Sequence, residues 1–193
     1  MTEWGGAAAA YRSLPLPGFA HHVIAGHLEG VWRTGPGADI SSIGGSSGGS
    51  LDLYVSRVGT GGSAHPVRGF PSGVRYGSRI VTGSVEYRVP LILVDRGFRQ
   101  VPAFLDRISA ALFTDFGDAW LPGPGGKYVR WGSGVDPSGR SRPPSPLIGS
   151  GGELRANVGL FSEGVLFLRA GVGFPVRGPE LGAQGYFSVG SAF

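Results

Sequence analysis

Four groups of residues in this chain have the types and spacing for chemistry. Gly45-Ser46-Ser47-Gly48-Gly49 fits G-x-S-x-G, the pattern that lifts a nucleophilic serine onto a sharp turn between a strand and a helix. His21, His22 and His27 place three imidazoles close together, as a metal site requires. The run SGRSRPPSP over 138–146 offers two guanidiniums to an acidic ligand. Finally, Glu86, Arg88, Asp115, Arg155, Asn157 and Arg169 recur at alternate positions of otherwise apolar segments.

The first three groups lack what their chemistry needs. Ser47 sits in a Gly/Ser run with no strand pattern before it and no helix pattern after it. The histidines lack the convergent carboxylates and supporting shell of a metal centre; their place near a strand end suits an interface or a lumen. The 138–146 run reads as a solvated external loop. With no cysteine in the chain, disulfides and thiolate zinc sites are excluded as well. The expectation is a protein that is not an enzyme and that uses no cofactor and no metal.

Net charge is +4 and the isoelectric point about 9.8, a balance that invites a nucleic-acid reading. The arginines are scattered along strands and loops and form no basic cluster, so no nucleic-acid partner is expected. No stretch reaches the ~18 apolar residues of a membrane helix. The first residues lack the basic and apolar regions of a signal peptide, so any export signal would lie upstream.

The charged group depends on the segments that carry it. Six segments read as strands: 19–32, 79–92, 108–120, 152–161, 165–176 and 186–193. Two further candidates lie at 4–12 and 51–58. In 79–92, Val81, Val85, Tyr87, Val89 and Leu91 share one face, and Thr82, Ser84, Glu86 and Arg88 share the other. Leu112, Thr114 and Phe116 likewise oppose Phe113, Asp115 and Gly117. The 37 glycines exceed twice the usual share of roughly 7%. Spread through alternating segments, they indicate strands that curve, with small residues facing a crowded interior.

Long polar connections at 34–50 and 121–150 alternate with the short Ser162-Glu163-Gly164 turn. A β-sandwich would place the charges in solvent. A transmembrane β-barrel accounts for more: strands of ~9–11 residues, an apolar lipid face, a polar interior, and long loops at one end only. The chain closes on YFSVGSAF, an alternation that puts Phe187, Val189 and Phe193 on one face. A terminal aromatic fits the girdle at a membrane boundary.

In order along 19–193, the stretches PVRGF (66–70), GSVEYRVPL (83–91), ALFTDFGDAW (111–120), GELRANVGLF (152–161), VLFLRAGVGFPV (165–176) and the Phe-terminated last strand resemble the C-terminal part of the BamA-like outer-membrane assembly barrels, the bacterial surface antigen family. This resemblance implies an all-β fold over 1–193: the C-terminal portion, about six to eight strands, of an antiparallel transmembrane barrel. Residues 34–78 would then be a long loop folded into the lumen, and 121–150 a long extracellular loop. Val67, Arg68, Gly69 and Phe70 would meet the inner wall. Arg68 would meet Asp115 of the motif formed by Phe113, Asp115 and Gly117, with Glu86 as a second acidic partner.

The resemblance further implies a place in the bacterial outer membrane and a role in inserting β-barrel proteins or moving them across it. The partners would be outer-membrane lipids, unfolded outer-membrane clients and subunits of an assembly complex. Phe187, Val189 and Phe193 would carry the terminal-strand signal. A complete barrel of that family has about sixteen strands, and about eight is the practical minimum for closure; the chain therefore reads as a piece of a larger protein. Two other readings use the same residues. One is a structural or pore-forming barrel, or a surface antigen, attached to another soluble module; the other is a small self-contained membrane anchor.

Overall fold

The computed structural model describes residues 1–17, 20–46, 65–97, 103–122, 128–129, 131–132, 146–160, 164–179 and 182–191. They form β1 (Thr2–Leu14), β2 (His22–Thr34), β3 (Ser41–Ile43), β4 (Arg75–Gly77), β5 (Arg79–Gly97), β6 (Ala103–Pro122), β7 (Tyr128–Val129), β8 (Trp131–Gly132), β9 (Leu147–Leu160), β10 (Gly164–Arg177) and β11 (Gln184–Ser191). No helix occurs among the described residues. The expected all-β, antiparallel character is therefore observed.

The main sheet runs β1-β2-β5-β6-β9-β10-β11, with β7 added on β6. Each neighbour pair on that path is antiparallel. Among the described residues, β1 pairs with β2 alone and β11 with β10 alone, so the sheet is open and has two edges.

Register places the charges together. Ala25 lies opposite Glu86, and Glu86 opposite Phe113; Asp115 lies opposite Ser84 and Gly149; Glu153 lies opposite Ala111 and Gly171, and Gly171 opposite Tyr186. Residues directly opposite share a face, so Glu86, Asp115, Glu153 and Tyr186 all project from one side, called the inner face here. The outer face presents Ile24, Leu28, Val85, Leu112, Phe116, Leu154, Val172, Phe174 and Phe187, all exposed. Its polar intruders satisfy one another: the Thr114 and Ser150 hydroxyls are 2.9 Å apart across β6 and β9.

Two prolines sit inside strands, where they cannot donate to a ladder, and each coincides with a break in register, between Pro90 and Ile92 and between Pro175 and Arg177. Bulges absorb the missing donor and bend the strand.

Several boundaries differ from the sequence reading. The candidate at 4–12 is the full strand β1. Strand 79–92 continues to Gly97, and 108–120 starts already at Ala103, because their mutual pairing persists past the last clear alternation. Within 34–78, Thr34 ends β2, and β3 and β4 pair as part of a second, three-stranded sheet with β8. The 121–150 connection shortens at both ends, since β6 runs to Pro122 and β9 begins at Leu147. Glycines at 149, 151 and 152 hid that start. The candidate at 51–58 lies outside the described residues.

The second sheet and the 65–74 segment pack over one end of the inner face. Ile43, Val67, Phe70 and Val74 from the connection meet Ile80, Ala119 and Leu147 from the wall, and all seven are buried. This cluster is the anchor that fixes where Arg68 points.

Candidate functional site

Between Val67 and Phe70 the chain makes a turn that only these residue types accommodate. Gly69 has φ of 95°, in the left-handed region that a side chain strains. A Cβ there would also lie 2.9 Å from the Phe174 carbonyl oxygen. Val67 and Phe70 are buried to 0% and 2% exposure on either side. With both apolar neighbours inserted into the cluster, Arg68 between them is driven onto the sheet.

The wall is carved to receive this turn. A Cβ on Gly117 would stand 2.5 Å from Val67 Cγ2, one on Gly173 would stand 2.5 Å from the Gly69 nitrogen, and one on Gly149 would run into the Arg68 carbonyl oxygen. The high glycine content thus acquires a specific use at three inner-face positions.

Arg68 is 5% exposed and is met on every polar edge. Its Nε donates to Asp115 Oδ2 at 2.7 Å and its Nη2 to Asp115 Oδ1 at 2.7 Å, a bidentate pair. The Arg68 backbone N–H donates to Oδ2 as well, at 2.9 Å. Nη1 lies 2.8 Å from Glu86 Oε1 and 3.2 Å from Glu153 Oε2. Ser84 Oγ accepts from Nη2 at 2.9 Å and donates to Asp115 Oδ1 at 2.7 Å. The guanidinium carbon lies 3.8 Å from the centroid of the Phe113 ring, a cation–π contact in a desolvated setting. Burial by itself would lower the Arg68 pKa. The Asp115 hydrogen bond and the charges of Asp115, Glu86 and Glu153 outweigh it and hold the group above its ordinary value.

A second layer surrounds this ion. Arg155 Nη2 donates to both Glu86 oxygens at 2.9 Å and its Nε pairs with Glu153, while Arg88 holds Glu86 Oε2 at 2.7 Å. Tyr186 of β11 donates its hydroxyl to Glu153 Oε2 at 2.5 Å. The Tyr186 ring lies where a Cβ on Gly171 would clash, 2.5 Å from the hydroxyl. The arrangement engages its carboxylates and guanidiniums in mutual ion pairs. Its chemistry is that of a fastener: it joins a connecting loop to β5, β6, β9 and β11 through charge-assisted bonds. Nearer the tip, Arg75 and Asp118 form another buried pair at 2.6 Å.

Of the residues singled out from sequence, the structure brings Arg68, Glu86, Phe113 and Asp115 into one cluster, with Val67, Gly69, Phe70 and Gly117 shaping its seat. Sequence reading missed Glu153, Ser84 and Tyr186 as members. Glu153 alternates with Arg155 across Leu154, and that shared parity was the available signal. Phe187 is exposed on the outer face and Val189 shares its side of β11; Phe193 lies outside the described residues. Ser47 and most of 138–146 also lie outside them. His22 Nδ1 is 2.5 Å from the Tyr87 hydroxyl. Among the described residues no group of three His, Cys, Asp or Glu side chains is placed to hold a metal, and no helix is long and apolar enough to cross a membrane.

Tyr186→Phe tests whether the last strand belongs to the cluster. It removes one donor from a buried carboxylate, and a loss of about 1–3 kcal/mol is expected in urea unfolding. A change within ~0.5 kcal/mol, the usual range of a surface substitution, would detach β11 from it.

Comparison of the chain with family models, with curated proteins and with solved structures finds no match.

Proposed function

We propose that the chain is the C-terminal barrel segment of an outer-membrane assembly or translocation factor, one that inserts β-barrel proteins into the bacterial outer membrane or moves them across it. The observation that carries this reading is the Arg68 turn fastened to Asp115 on the polar face of a sheet whose other face is exposed and apolar. A lipid-facing surface and a water-facing lumen with a docked loop require that division. It agrees with the order of motifs from PVRGF to the Phe-ended strand.

Strand direction adds a constraint. Seven antiparallel neighbours in succession leave β1 and β11 running the same way. Direct closure would create a parallel seam, whereas an odd number of further strands between them keeps every pairing antiparallel. In this reading other parts of a longer protein supply those strands, because unpaired edges are not tolerated in lipid. The factor works without a cofactor or covalent step: it offers a strand edge and a perturbed bilayer to an incoming chain. Its partners are outer-membrane lipids, unfolded clients and assembly subunits, and Phe187, Val189 and Phe193 mark its terminal strand.

The test is reconstitution into phospholipid vesicles with a urea-unfolded small barrel added as client. Faster appearance of the heat-modifiable folded client than in empty vesicles is the expected result. Protease-protected insertion without acceleration replaces this reading with a structural or pore-forming barrel or surface antigen. Failure to insert removes both.

A further inference from the structure

The outer face carries aromatic residues at two levels. Trp4 of β1 lies directly opposite Trp32 of β2, with the parity of Ile24 and Leu28, and the two side chains belong to residues 72% and 41% exposed. They sit at the end where β2 leaves for the long connection after Thr34. Toward the other end, Tyr87 lies opposite Ile24 and Leu112, which puts it on the same face. His22 shares that parity, and its Nδ1 is 2.5 Å from the Tyr87 hydroxyl.

Between the two levels these strands present no charge outward. The outward positions of β2 are Ile24, Gly26, Leu28 and Gly30, and those of β5 are Val81, Gly83 and Val85. His22 and Trp32 are ten residues apart on β2, about 33 Å along a strand. At the ~35–45° tilt of barrel strands that length rises about 25 Å, and the apolar band of a membrane barrel is about 25 Å tall and ends in aromatic girdles. The strands are also staggered, as a tilted, closing sheet requires. Through successive registers Gln184, the first residue of β11, is level with Ala25 on β2, nine residues short of Thr34.

We propose that Trp4 and Trp32 seat the sheet in the lipid headgroup layer on the long-connection side, and that Tyr87 with His22 seats it in the opposite one. Trp and Tyr suit that layer because each joins an apolar ring to a hydrogen-bond donor at one edge. Arg12, outward on β1 opposite Ile24, stands just inside the second level. Its stem is long enough to bring the guanidinium to the lipid phosphates while the methylenes stay in the apolar layer. The partner is thus the phosphate and carbonyl zone of a phospholipid bilayer, met at two fixed heights on the molecule. This inference rests on the outer-membrane barrel reading and adds the depth at which the bilayer meets the chain.

The chain has no cysteine, so single cysteines can be introduced without background. His22→Cys, Leu28→Cys and Trp32→Cys, each carrying a nitroxide, are reconstituted into phosphatidylcholine and phosphatidylglycerol vesicles. Spin resonance then reads depth from the ratio of accessibility to oxygen and to a water-soluble nickel complex. Leu28 is expected to lie about 10 Å deeper than Trp32, with His22 shallow again. Trp4→Cys and Ala8→Cys, opposite Trp32 and Leu28 on β1, repeat the comparison should a β2 variant fail to fold. Insertion with Trp32 or His22 as deep as Leu28 overturns the two levels and leaves the barrel reading standing. All positions equally open to the nickel complex would place this face in water and remove the barrel reading together with the inference.

Discussion

Arg68→Ala is expected to lower stability by about 3–5 kcal/mol, the cost of removing one partner from a buried ion pair. The sign follows from the carboxylates. Asp115, Glu86 and Glu153 are all buried, and the one cation between them pairs with all three. Truncation leaves Asp115 with two acceptor atoms and Ser84 as its remaining side-chain donor. Arg155 and Arg88 still serve Glu86, so the damage centres on Asp115. The loop suffers in parallel, because the Arg68 backbone and side chain are both tied to that carboxylate.

Asp115→Ala should therefore give a loss of similar size, and the double variant should lose little more than either single one. Contacting residues of one network couple by about 0.5–3 kcal/mol, whereas independent sites add. Arg68→Lys should recover a minority of the loss: it restores charge, but neither the bidentate fork nor the flat contact with Phe113. Urea unfolding followed by tryptophan fluorescence reads all four variants. Purely additive single losses would show that Arg68 and Asp115 are neighbours without being a unit.

How much of this was legible beforehand depends on the kind of signal. Glu86 and Asp115 announced themselves, because a charge inside an apolar alternation has one parity and therefore one face. Arg68 did not. It lies in a segment without periodicity, and nothing local connects 66–70 to the wall; the family resemblance supplied that link, and register and distance then placed it. β1 was faint, since its Gly- and Ala-rich centre carries little hydrophobic contrast. The start of β9 was invisible for a related reason: the glycines that receive the loop are also those that erase a strand pattern. Where the fold needs backbone to approach backbone, the sequence shows only an absence of side chains, and that absence reads as loop until the partner is known.

Gly149→Ala should destabilise the protein by about 1–3 kcal/mol, as overpacking does, although alanine ordinarily strengthens a strand relative to glycine. Gly149 lies on the inner face of β9 opposite Asp115. An added Cβ would overlap the Arg68 carbonyl oxygen, with the Arg68 carbonyl carbon at 3.1 Å and Gly69 Cα at 3.5 Å. Those are backbone atoms of a turn pinned by Val67 and Phe70, so they cannot swing aside as a side-chain tip could. Relief requires lifting the turn, which lengthens the Arg68–Asp115 bonds. The effect should consequently shrink when Arg68 is already alanine, and Gly149→Val should exceed it. Gly152, on the outer face of the same strand, supplies the comparison. There a Cβ would meet Leu112 Cδ2 at 3.5 Å and the Ala111 carbonyl at 3.7 Å, ordinary contacts. Gly152→Ala is expected to be neutral or stabilising by up to ~1 kcal/mol, by reducing the freedom of the unfolded chain. Opposite signs for two glycines three residues apart would tie the cost at Gly149 to the docked loop. Equal signs would reduce it to a property of the strand.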